Sequence, residues 1–303
     1  MMRIDSKPSS KELVFEKLFC ILEEFDRVCK ENDLKYSLYG GTLIGAVRDN
    51  DFIPWDDDVD VIMLRDDYNK LKKIAEKEIF NSPFFLQTPI SDPGSPRMFM
   101  RLRDSSTTAV SYEDILFDMN HGIFIDILPG DYIPRNSIKR NWMILQLKIC
   151  TKLSGAYARY YSGVDVRGDA LPTKLLYWMI YPLLKFNVIT SEKAFKKFEK
   201  IAARYNNKKY ACDNIAETPW LAYNSQDLYA KEFFESGSTE EIFHGKKFKI
   251  FKEYDRLLTA MYGSYRIPKQ EPSRHSKQAQ FVDIPFEEYK IKYKDEIVEN
   301  WKK

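Results

Sequence analysis

Residues 40–64 read GGTLIGAVRDNDFIPWDDDVDVIML, with aspartates at 56, 57, 58 and 60. Side chains alternate across an extended strand, so Asp58 and Asp60 share one face and Val59, Val61 and Met63 the other. Asp56 joins the acidic face if the extended conformation starts early. Two carboxylates roughly 5–6 Å apart repel by about 3 kcal/mol at an effective dielectric of about 20. In a partly buried site this calls for a counter-charge, and an oxygen-preferring divalent cation, magnesium or manganese, supplies one. Asp126 is a third candidate ligand. It interrupts the apolar run Ile123–Phe124–Ile125–Asp126–Ile127–Leu128, where an unpaired charge is costly and must meet a cation or a donor. The plainer reading makes residues 56–58 a surface turn and pairs Asp126 with a structural arginine.

Gly40 and Gly41 let the backbone approach a ligand closely and offer N–H groups to phosphate oxygens, and Thr42 adds a hydroxyl. A tight strand-to-helix turn explains the same glycines equally well. Arg48 is placed to reach those phosphates or to pair with Asp49 or Asp51. Arg101 and Arg103 are further phosphate candidates. Together these elements point to metal-assisted phosphoryl or nucleotidyl transfer. Trp55 either packs under the acidic run or helps an aromatic box bind a quaternary ammonium group.

The elements that position these residues follow from periodicity. Residues 9–32 form an amphipathic helix with a Ser9/Glu12 capping box and a buried stripe of Leu13, Leu18, Leu22 and Phe25. Strands are expected at 35–39, 59–64, 84–87, 98–102, 107–112 and 122–128, the last stopped by Pro129–Gly130. A helix starts at Asp66 and runs to residue 80. Beyond about residue 138 the pattern is helical and aromatic. The chain is therefore α+β, with a catalytic core over residues 1–135 and a helical, aromatic-rich region over 136–303 that completes the substrate cleft.

The 303 residues carry 47 basic and 45 acidic side chains, a net charge of +2 that argues against a nucleic-acid partner. At 44% hydrophobic and 30% charged, the composition is globular. Four cysteines without CxxC spacing read as reduced thiols, and a polar N-terminus lacks the apolar core of a secretory signal, so a cytoplasmic protein is expected. The run LLYWMIYPLL over 175–184 is too short to span a bilayer. Two readings stay open: a buried helix followed by a solvated basic segment, which is favoured, or a helix lying on an anionic membrane surface.

The segments GGTLIGA, IPWDDDVD and Phe124–Ile125–Asp126–Ile127–Leu128–Pro129 resemble, in order, the signature of the LicD family, which includes bacterial phosphocholine transferases and is related to fukutin-type proteins. Gly245–Lys249, Tyr254–Leu258, Tyr262–Gly263 and Arg274–His275 extend the resemblance to about residues 10–280. Ser264 stands where the family usually has an acid, and Pro268–Lys269 where it has two prolines. The resemblance implies a nucleotidyltransferase-like mixed sheet. It also implies transfer of a phosphorylated alcohol, such as phosphocholine, from a CDP-linked donor to a sugar hydroxyl of a cell-surface glycan (teichoic acid or lipopolysaccharide, free or lipid-linked), releasing CMP. On this reading Asp58, Asp60 and Asp126 hold the metal, with Asp126 alternatively the base. Asp56 supports them, and Gly40, Gly41, Thr42, Arg48 and Arg103 hold the donor phosphates. Three rivals use similar residues: a nucleotidyltransferase consuming a nucleoside triphosphate, a non-catalytic glycan- or partner-binding protein, and a DxD glycosyltransferase.

Overall fold

The computed structural model describes residues 9–75, 77, 80–111, 114–164, 171–207, 211–224, 227–268 and 279–289. The helix α1 (Lys11–Glu31) buries Leu18, Ile21, Leu22 and Phe25 completely. Leu13 is 52% exposed, because five residues at about 100° each turn it some 140° away from Leu18. Ser10 caps the helix, accepting from the Leu13 N–H. The hydroxyl of Ser9, expected as the cap, accepts from the Val282 N–H, a partner remote in sequence.

Next come β1 (Ser37–Leu38) and α2 (Gly40–Ile44), which continues as a π-helical turn over Gly45–Asp49. They are followed by β2 (Asp60–Leu64), α3 (Arg65–Ala75), β3 (Phe84–Gln87), β4 (Met100–Asp104), β5 (Thr108–Val110) and β6 (Ile123–Pro134). The second half holds α4 (Ser137–Tyr161), α5 (Leu171–Lys185), α6 (Ser191–Ala202), β7 (Cys212–Glu217), α7 (Thr218–Leu221), β8 (Tyr229–Ala230) and α8 (Lys231–Glu235). The hairpin β9 (Ser238–Phe243) and β10 (Lys246–Phe251), then α9 (Tyr254–Tyr262) and β11 (Ala279–Phe281), complete the described chain.

A mixed sheet runs β1-β2-β6-β4-β3, with β7 added to β6 and β8 to β7. The strand β6 organises it. β2 pairs with β6 in parallel along one edge, while β4 and then β7 pair antiparallel along the other. Pro129–Gly130 does not stop β6. The Asp126 N–H donates to Val59 O on the β2 side, so alternation aims the position-129 nitrogen at the opposite edge. There β4 pairing ends at Ile127 and β7 pairing begins at Gly130, so the N–H that proline lacks is not needed.

One face of the sheet buries Val59, Val61, Met63, Ile125 and Ile127 against α1. On the other, Ile62 and Leu128 pack with Tyr39, Ile215, Phe233, Phe234, Phe251 and Leu257. Asp60 and Asp126 alternate onto this second face. The expected helical second half holds only over α4–α6, after which strands return. In β10, KKFKIF, Phe248 and Ile250 are buried between lysines, a period-2 signal masked by the surrounding charge. The structure also overturns the favoured burial of the 175–184 run, since Leu175, Leu176 and Trp178 are exposed and among these ten residues only Leu184 is buried.

Arg65 donates two bonds to Asp131, at 2.8 and 2.6 Å, with both side chains buried. Asp131 also accepts from Asn206 and Thr218, so this ion pair ties the segment after α6 and the start of α7 to β6.

Candidate active site

The acidic run reaches β2 through a loop pinned at both ends of its backbone. The Tyr39 N–H donates to Asp60 O at 3.0 Å, and the Asp60 N–H donates to the Thr42 hydroxyl at 2.9 Å. Thr42 thus fixes Asp60 at the mouth of β2. The two glycines admit carboxylates. Gly40 has φ +56°, and a Cβ there would lie 3.0 Å from Asp60 Oδ2. A Cβ on Gly41 would lie 2.2 Å from Asp56 Oδ2. No larger residue fits at Gly41 unless Asp56 moves.

Carboxylate oxygens of Asp56, Asp57 and Asp58 lie within 4.8 Å of one another, a spacing that suits a shared cation. This ligand-spaced trio is not the expected set of Asp58, Asp60 and Asp126, although these three also converge. Asp60 and Asp126 are direct register partners on adjacent strands. Burial pushes the Asp58 carboxyl well up, with Asp56 and Asp126 adding repulsion. Burial does the same to Asp60, with Asp58 and Asp126 beside it. Asp56 is raised by burial and by Asp57, while a hydrogen bond from Asp58 works the other way.

Asp126 meets an arginine, as the plainer reading required. Arg101 Nε donates to its Oδ1 at 2.7 Å and Nη2 to its Oδ2 at 3.2 Å. The Arg101 guanidinium also stacks 3.7 Å from the Phe124 ring centre. Lys11 is a second cation near the cluster, donating to the main-chain oxygens of Pro54 and Asp56. Among the described residues, Asp56, Asp58, Asp60 and Asp126 outweigh these two, and the excess negative charge fits a divalent cation.

The two arginines expected to hold phosphate are engaged by internal acceptors. Arg48 donates to both Asp49 oxygens, at 2.9 and 2.7 Å, and to Tyr265 O. Arg103 is buried beneath Phe124 and donates to Gln87 Oε1 at 2.6 Å and Gly122 O at 2.7 Å. Its neighbour Arg101 is the arginine on the acidic face. Trp55 is 36% exposed beside the acidic run. Arg274 and His275 lie outside the described residues.

Sequence reasoning missed Glu217 and the tyrosines around it. Glu217 ends β7 opposite Gly130. Burial pushes its carboxyl up to about 8, with Asp126 and Asp227 adding repulsion. Tyr39 is raised by burial, with Glu217, Tyr229 and Tyr262 as electrostatic neighbours. Tyr262 is raised by burial and by Asp60. A Cβ on Gly40 would lie 3.6 Å from the Tyr262 hydroxyl. Only Tyr262 carried a signal, through Tyr262–Gly263 in the resemblance. Nothing local marks Glu217, because its neighbours come from β6, the residue before α2, and α9.

Residues 33–149, which contain the glycines, the acidic run and Asp126, match the family described as LicD/FKTN/FKRP, nucleotidyltransferase domain. Over 279 residues the chain is 27% identical to a lipopolysaccharide cholinephosphotransferase LicD of Haemophilus influenzae, a match covering 88% of this chain and 97% of that protein. A LicD-type domain thus spans residues 33–149. A shorter stretch of 57 residues is 35% identical to an uncharacterized protein of Rickettsia prowazekii, covering 19% of this chain and 21% of that one. Within the LicD-type domain the acidic face, Thr42 and the glycine pair form one constellation. Arg48 and Arg103, also within the matched segment, are engaged by internal acceptors instead.

Proposed function

We propose that the chain transfers a phosphorylated alcohol, phosphocholine or a close analogue, from a CDP-linked donor to a sugar hydroxyl of a cell-surface glycan, with release of CMP. The observation that carries this reading is the convergence of Asp56, Asp58, Asp60 and Asp126 on one face, where among the described residues the carboxylates outnumber the neighbouring cations Arg101 and Lys11. Such a face suits a cation that itself grips a diphosphate. The likeness to a cholinephosphotransferase along nearly the whole chain supports the choice of phosphocholine.

A bound magnesium or manganese ion would neutralise charge on the donor diphosphate and on the departing CMP. Asp56, Asp57 and Asp58 would hold it, with Asp60 beside them. Thr42 and the glycine pair keep Asp60 and Asp56 in place. Arg101 holds Asp126 on the acidic face through two hydrogen bonds. Glu217, held near neutral pKa by burial, takes the proton from the attacking sugar hydroxyl. The oxygen then bonds to the donor phosphorus as the bond to the CMP oxygen breaks.

The test is incubation with CDP-choline, magnesium and lipopolysaccharide acceptor, with CMP read by chromatography. Parent protein releases CMP and labels the glycan, while Asp60→Asn loses at least a hundredfold in rate. Release of pyrophosphate from a nucleoside triphosphate, with CDP-choline left intact, would overturn the reading in favour of a nucleotidyltransferase.

A further inference from the structure

The helix α5 and the turn after it expose an apolar surface, next to an α4 that exposes Trp142, Leu145 and Ile149. Leu175, Leu176, Trp178 and Met179 are 59, 52, 59 and 72% exposed. Phe186 and Val188, just beyond the helix, are 75 and 57% exposed. Scattered exposed apolar residues need no explanation, but a contiguous helical run of them marks an interaction surface. The run is held to α4 at one end. There Tyr160 and Tyr181 meet edge to face at 5.7 Å, and the Tyr157 hydroxyl donates to Asn187 Oδ1.

We propose that this surface docks on an anionic phospholipid membrane. The charge around it selects that occupant. Neither α4 nor α5 contains an aspartate or glutamate, while Lys174 and Lys185 flank the apolar run. A second copy of the chain would bring the same basic helices face to face, which like-charge repulsion opposes. Anionic headgroups complement them. Length sets the mode of binding. Fifteen residues extend about 22 Å, short of the roughly 30 Å hydrocarbon core, and no described helix is long and apolar enough to cross a membrane. The helix therefore lies along the interface. Tyr177, Trp178 and Tyr181 contact one another there and supply the amphipathic rings that favour headgroup depth.

The experiment is co-sedimentation of the full chain with vesicles of phosphatidylcholine alone or with about 30% phosphatidylglycerol. The parent pellets at least tenfold more with the anionic vesicles, and half-molar salt reverses most of the gain. Two double variants, Trp178→Ser with Met179→Ser and Phe186→Ser with Val188→Ser, each lose at least tenfold in binding while keeping the parent's circular dichroism and melting temperature. Failure of the parent to pellet with anionic vesicles would overturn the proposal. So would undiminished binding by both variants. A parent dimer in sedimentation velocity that the variants disperse, without vesicle binding, would assign the face to self-association instead. The assay needs neither donor nor acceptor, so its failure leaves the transfer reaction untouched.

Discussion

Replacing Asp58 with asparagine removes one charge from the acidic face and keeps its shape. With oxygens up to 4.8 Å apart and an effective dielectric of about 20, each ionised pair repels by about 3 kcal/mol. The residues are half-buried, and screening by water leaves about 1–2 kcal/mol. In chelator near neutral pH, Asp58→Asn is therefore expected to melt about 2–4 °C above the parent. Magnesium reverses the order. A cation that binds only the folded state at about a hundred times its Kd stabilises by about 2.7 kcal/mol, so the parent melts several degrees higher with millimolar magnesium. The variant, lacking a ligand, gains little. The assay is thermal unfolding of both proteins with chelator and with magnesium. A variant less stable than the parent in chelator would refute the electrostatic account. An equal magnesium shift in both proteins would refute the assignment of Asp58 as a ligand.

Asp131→Ala leaves the buried Arg65 charge to Glu199, at 3.3 Å, and should cost about 3 kcal/mol in urea unfolding. The paired replacement Arg65→Met with Asp131→Leu should cost less, and equal losses would show that packing rather than charge holds this junction. His244, at the β9–β10 turn, faces Asp51 at 2.7 Å and Glu16 at 3.3 Å. Burial works against its protonation, but the two carboxylates outweigh this and raise the imidazole pKa. The resulting stabilisation is full below the ordinary value of about 6.5 and lost as pH rises through the raised one. The melting temperature of the parent should thus exceed that of His244→Asn, which tolerates the φ of 48° at this position, in acid and converge with it in alkali. A pH-independent difference would remove the histidine from the account.

The sequence by itself determined the acidic face. Alternation is local, so Asp58 and Asp60 opposite Val59, Val61 and Met63 follow from spacing once the strand is recognised. The cost of a charge inside IFIDIL likewise demanded a partner for Asp126. The partner's identity was not local. Arg101 and Arg103 are equivalent in sequence, two residues apart on β4. Only the pairing of β4 with β6 sets Arg101 opposite Asp126 and leaves Arg103 beneath Phe124 with Gln87 and Gly122. The glycine pair was legible as a close approach, but what approaches is Asp56 and Asp60. Glu217 enters the site because β6 runs past Pro129 to recruit β7, and strand pairing over some ninety residues leaves no local trace. Burial of α5 was misread for the same reason. Its apolar composition is a property of the chain, whereas what covers it depends on whether any other element packs there, and in the described structure none covers its outward face.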